Sequence, residues 1–178
     1  MKIAGIPFDP PQNTADFVIA DQVEGNATTS FGAPAIILQT DHLPADEKDY
    51  QHWRKILKGC WQSFDDSYQN ALGKELRKGP RGGGRDAGGV LKHVLEADLA
   101  YLKRMARSYR RNLENDFMTE IRQVRNQILV VLDVSENEGL PEGGPRGGII
   151  WPVRFFIRRV VWHTLDHQWE MDDRIIKP

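Results

Sequence analysis

Three histidines hold most of the chemistry this sequence offers. His163 and His167 lie four residues apart in Trp162-His163-Thr164-Leu165-Asp166-His167-Gln168-Trp169-Glu170. His93 stands far upstream, in Leu91-Lys92-His93-Val94-Leu95-Glu96-Ala97. If both stretches are helical, an i,i+4 pair on one helix can meet a single imidazole from another. Three neutral imidazoles around one point form a common catalytic metal shell, because one coordination position stays open. Such a site can activate a bound water or hold a thiol as thiolate.

The histidine pair resembles the zinc-binding His-x-x-x-His helix, but the Glu of His-Glu-x-x-His is missing, so a metalloprotease reading is weak. Glu96, Asp98, Asp166 and Glu170 lie near the histidines in sequence, and each is a candidate for orienting an imidazole. Their alternative is surface pairing, such as Glu170 with Arg174 at i,i+4. Asp98 falls inside an apolar stripe, where a charge needs a partner. Cys60 has core spacing and reads as packing rather than as a nucleophile. His42, at a loop–helix junction, and His52, beside Gln51, read as ordinary polar residues.

Gly-Pro-Arg-Gly-Gly occurs twice, at Gly79 to Gly83 and at Gly144 to Gly148. Glycine lets backbone N–H groups approach an anion, and arginine adds charge. Neither copy matches a nucleotide-binding glycine pattern, so loop punctuation is the simpler reading. Arg81, Arg85 and Arg146 remain candidates for the rim of a substrate pocket. Each copy precedes a helix with candidate ligands, which places both loops at one end of the molecule.

Helices must position these groups. Apolar residues at helical spacing predict helices over about 46–72, 87–110, 115–134 and 151–174. Pro152 is tolerated in a first turn. Four amphipathic helices of this length have only one another to bury their apolar faces, which points to an all-α four-helix bundle. On a helical wheel, His163 and His167 share an arc with Val153, Phe156, Ile157, Val160 and Met171, facing the interior. His93 falls on a flank beside Ala97 and Ala100. A second apolar arc of the last helix carries Phe155, Trp162, Leu165 and Trp169, and needs cover from the N-terminal arm or from a second subunit. Residues 1–45 differ in composition and form a separate arm, expected to be either irregular or a small β hairpin with short strands at 16–20 and 35–38 around a Gly25-Asn26 turn. The bundle spans 46–178.

The bulk numbers exclude several classes. The chain has 178 residues, 40% hydrophobic and 28% charged, with net charge −1, so it reads as one globular domain without the basic excess of a nucleic-acid binder. Its single cysteine and the lack of a signal-like N-terminus lead us to expect a cytoplasmic protein. No apolar run reaches the roughly 18 residues needed to span a bilayer. The sequon at Asn26 reads as chance.

The segments Val90 to Leu102 and Arg158 to Glu170 resemble the ligand helices of the DinB/YfiT-like superfamily, in an uncharacterised bacterial branch. The resemblance covers roughly residues 46 to 175, and its most specific part is one His, a long gap, then His-x-x-x-His. It implies an antiparallel four-helix fold holding one divalent ion, zinc or nickel, on His93, His163 and His167. It implies thiol-dependent transfer or isomerisation with a low-molecular-weight thiol such as bacillithiol or mycothiol, acting on a small molecule, and frequent homodimers. The N-terminal arm does not match the family pattern. Thiol transfer is the leading function. Metal-dependent hydrolysis of a small substrate is second, and a non-enzymatic metal- or ligand-binding stress protein is the rival class.

Overall fold

The computed structural model describes residues 4–19, 21–78 and 84–176. Four long helices dominate: α1 Glu47–Ala71, α2 Ala87–Lys103, α3 Phe117–Asn137 and α4 Val153–Arg174. The first three begin at aspartates whose carboxylates accept from the first-turn backbone: Asp46 from Asp49, Asp86 from Gly89 and Asp116 from Thr119. α4 instead starts directly after Pro152, whose fixed φ suits a helix entry. Leu57 and Phe64 of α1, Leu95 and Leu102 of α2, Ile121 and Ile128 of α3, and Phe156 and Val160 of α4 are fully buried together. The all-α bundle expected from periodicity is the fold.

The direction of each helix follows from its ion pairs and ring contacts. α1 and α4 run the same way. Asp49 meets Arg154 near their starts, and Ser67 meets Asp172 near their ends. α3 runs against α1, because Tyr50 bonds Ser135 and Asp65 pairs with Arg125. α2 runs against α4, with Tyr101 beside Trp151 and His93 beside His167. The bundle therefore has two helices up and two down. The parallel pair α2 and α3 requires a connection that returns along the bundle. Residues 104–116 do this: Arg107 donates to Gln127, while Asn112 and Asn115 donate to the buried Glu120 carboxylate.

α2 ends seven residues short of the expected 110. Ala106 adopts φ 53°, and the Arg107 N–H reaches back to the Leu102 carbonyl at 3.0 Å. This left-handed cap turns the chain over and starts the return run.

Of the two forms expected of the arm, the described residues show the irregular one, with no strand among them. Asn13 and Asp16 close a capping box around the 3-10 turn Thr14–Asp16, and Asn26 closes a second turn. Phe17, Val18 and Ile19 then run exposed without a pairing partner. Around 35–38, side chains take the backbone groups a strand would use. Arg158 donates to the Ile36 carbonyl, and Asp41 accepts from the Leu38 N–H. Arg158 also pairs with the buried Asp41, so this part of the arm lies along α4. Ala4 packs so closely on α1 that a Cβ at Gly59 would sit 2.9 Å from its own. The one β feature among the described residues is an isolated bridge between Leu76 and Ile175. No described helix is long and apolar enough to cross a membrane.

Candidate metal centre

α2 and α4 bring the three histidines together. His93 sits in the second turn of α2, and His163 and His167 project from successive turns of α4, about 6 Å apart along its axis. Ring centroids are 5.2 Å apart for His93 and His163, 4.7 Å for His93 and His167, and 4.5 Å for His163 and His167. One ligand nitrogen from each lies within 4.8 Å of the other two. His163 and His167 are buried, and His93 is partly exposed, so the cluster opens toward solvent on its α2 side.

One imidazole is held by a chain of bonds. His167 Nδ1 lies 2.7 Å from Glu170 Oε2, and Arg174 Nη1 lies 2.5 Å from Glu170 Oε1. Arg174 also donates to the carbonyls of Arg77 and Arg85. The hydrogen bond from His167 is the main cause holding the Glu170 carboxyl below its usual range, so Glu170 accepts as an anion. His167 Nδ1 therefore carries the proton, and the Nε2 lone pair is free to ligate.

Electrostatics favour the neutral ring at His163 and His93. Burial first, then the positive charge of His167, His93, Arg159 and Arg85, pushes His163 down to about 3. Burial, His167 and Arg85 also lower His93. Metals bind the unprotonated ring, so these shifts reduce competition from protons. His163 Nδ1 is buried without a hydrogen-bond partner among the described residues. Three convergent nitrogen donors, one orphaned and one oriented by a carboxylate, fit a borderline divalent ion.

The other predicted residues separate clearly. Of the four acidic candidates, Glu170 touches the cluster. Glu96 is exposed and pairs with Lys92 at 3.8 Å, and Asp166 is exposed. Asp98 is fully buried, neither of its oxygens has a hydrogen-bond partner among the described residues, and burial pushes its carboxyl up to about 7. Burial likewise pushes the Cys60 thiol up to about 11, consistent with a packing role.

The first Gly-Pro-Arg-Gly-Gly copy, Gly79 to Gly83, lies outside the described residues. α2 and α4 are antiparallel, so their first turns lie at opposite ends of the bundle. Gly84 and Arg85 adjoin Arg174 at the end of α4, whereas Gly144, Pro145 and Gly148 adjoin Lys103 and Arg104 at the end of α2. Arg81 lies outside the described residues. Arg85 lends positive potential to His93 and His163, and the Arg146 backbone belongs to the far loop.

Sequence reasoning missed the aromatic and basic neighbours of His163. The Tyr101 ring is 5.7 Å away and the Trp162 ring 6.4 Å, and Arg159 stacks over both. A helical signal was present, since Tyr101 is eight residues after His93 and Arg159 four before His163.

No family model, curated protein or solved structure matches this chain.

Proposed function

We propose that this protein is a divalent-metal-dependent enzyme of the DinB/YfiT-like type, transferring a small-molecule group to or from a low-molecular-weight thiol. The carrying observation is the convergence of His93, His163 and His167, with His167 oriented by Glu170. Zinc or nickel is the expected ion, given the all-nitrogen donor set and the family resemblance. When bound, it would supply an open Lewis-acidic position that favours thiolate over thiol.

The chain's own residues favour thiol chemistry over hydrolysis. A hydrolytic water benefits from a free general base. Among the described residues, the one carboxylate touching the cluster, Glu170, is committed to His167 and Arg174. Burial raises the Tyr101 phenol, which therefore stays protonated and can donate. Thiol activation needs no added base once the thiolate is favoured.

The test has two stages. Protein purified without added metal is analysed for bound ions, then titrated with zinc and nickel. The expected result is one ion per chain, lost in a His163→Ala, His167→Ala variant that keeps its helical circular dichroism. Metal-loaded protein is then given candidate thiols and electrophiles beside an ester and amide panel. Thiol conjugation lost in His93→Ala supports the reading. Hydrolysis without thiol replaces it, and neither turnover nor thiol binding leaves a non-enzymatic binding protein. We also propose a homodimer through the α4 face bearing Trp169, which is 58% exposed. Light scattering should report a dimer that Trp169→Glu dissociates.

A further inference from the structure

The α2–α4 groove continues beyond the histidines. On α2, His93, Ala97 and Tyr101 follow at i, i+4 and i+8 and share a face, and Arg104 caps the helix three residues beyond Tyr101. On α4, His167, His163, Arg159 and Phe155 recur at four-residue steps. The helices run in opposite directions, so the two rows stay opposed. The Tyr101 ring contacts His163 on one side and the Trp151 ring, at 5.5 Å, on the other. Past Tyr101 lies a cavity of about 270 Å³, bounded by Tyr101, Arg104, Trp151, Phe155 and Arg159, with Ala35 of the arm at its edge. Among the described residues, no acidic side chain lines it.

Arg159 differs from the other arginines of its helix. Arg154 pairs with Asp49, Arg158 with Asp41 and Arg174 with Glu170. Arg159 pairs with no carboxylate among the described residues, and its Nη1 is buried without a hydrogen-bond partner. Its Cζ lies 5.6 Å from the Tyr101 ring centroid and 5.3 Å from that of Trp162, so two aromatic faces fix the guanidinium. A guanidinium held between two rings, with one nitrogen buried, is prepared for an oxyanion, because little side-chain freedom is left to lose on binding.

We infer that the cavity beside Tyr101 is a binding subsite for a small organic carboxylate, held by Arg159 with Arg104 at its edge and walled by the rings of Tyr101, Trp151 and Phe155. A carboxylate on Arg159 leaves the rest of its molecule free to lie along Tyr101 toward the His163 imidazole. This deepens the proposed reaction and rests on it for the reactive end of the ligand; anion binding itself stands on Arg159.

Benzoate is the test probe, with benzamide as its uncharged isostere. Binding is read by calorimetry and by the fluorescence of Trp151 and Trp162, in metal-free and metal-loaded protein. Benzoate should bind at least about tenfold tighter than benzamide, the order expected for a hydrogen bond to a charged partner. Arg159→Gln should remove that difference, and Arg159→Lys should restore part of it, with helical circular dichroism unchanged in both. No benzoate binding to folded wild type, equal affinity for the two probes, or an unaltered preference in Arg159→Gln overturns the subsite. Loss of the preference in His163→Ala but not in Arg159→Gln overturns it as well, by moving the anion to the histidines. Metal titration is scored separately. Benzoate binding without any metal binding sinks the proposed enzyme and leaves the subsite standing. N-acetylcysteine and N-acetylcysteamine then identify the carrier. Competition with benzoate by the first alone assigns the carboxylate to the thiol, and competition by neither assigns it to the other substrate.

Discussion

A carboxyl group that water cannot reach keeps its proton, and Asp98 shows what that costs. It sits in the apolar stripe of α2, where sequence reasoning required a partner for its charge. The nearest positive influence is Arg125, which already holds Asp65 through two bonds of 2.8 and 2.9 Å. The structure meets the requirement by neutralisation instead, since burial raises Asp98 from 3.8 to about 7. Unfolded, the group ionises near 3.8; folded, it holds its proton to about 7. Between those values the folded chain carries the extra proton, so Asp98 makes stability fall as pH rises from about 4 to 7 and level off above. The loss is on the order of 4 kcal/mol. Denaturant unfolding across that range should show the slope, and Asp98→Asn should flatten it. A wild-type profile that rises with pH and is unchanged in Asp98→Asn would contradict this account. Glu170 acts in the opposite sense, as an anion that orients His167. Glu170→Gln should weaken metal binding by roughly 10- to 100-fold while the helices persist, as losing a carboxylate behind a ligating imidazole does. Competition with a chelating dye measures it; wild-type affinity in the variant would reduce Glu170 to a surface partner of Arg174.

Whole elements were legible where periodicity was strong and opaque where a single backbone angle decided. All four helices could be read from their apolar stripes, and the interior position of His163 and His167 followed from the same pattern. The end of α2 could not. Ala106 continues the stripe and is no helix breaker, yet it turns left-handed at φ 53°. That turn sends residues 104–116 back along the bundle and makes α2 parallel to α3. The strands at 16–20 and 35–38 failed for a related reason. β-branched runs predict extended backbone, but only a partner makes a strand, and here Arg158 and Asp41 took the backbone groups of the second run. The cap makes its own prediction. An L-residue in the left-handed region costs roughly 1–2 kcal/mol, and glycine avoids most of this while adding freedom to the unfolded chain. Ala106→Gly should therefore stabilise by up to about 1 kcal/mol, seen as a higher denaturant midpoint with unchanged slope. A lower midpoint would show that the Ala106 methyl contributes more than its strain costs.

At the scale of the molecule, the histidine cluster is a potential cross-link between two helices that run in opposite directions. His93 reports the position of α2, and His163 with His167 that of α4. Glu170 and Arg174 extend the same chain of bonds to the carbonyls of Arg77 and Arg85 in the α1–α2 connection. The unfolded chain has no such convergence, because His93 and His163 are far apart in sequence. An ion bound here favours the folded state, and mass action sets the size of the effect. At a free ion concentration a hundred times the dissociation constant, the gain is about 2.7 kcal/mol. For a chain of 178 residues this corresponds to a rise in Tm of roughly 5–10 °C. The rise should grow with the logarithm of ion concentration, vanish with chelator and be absent in the His163→Ala, His167→Ala variant. Arg159→Gln should retain it in full, because Arg159 is assigned to the anion and not to the ion. A Tm that ignores zinc and nickel at every concentration would mean that the three imidazoles converge without forming a metal site, and an equal rise in the double variant would place the ion elsewhere.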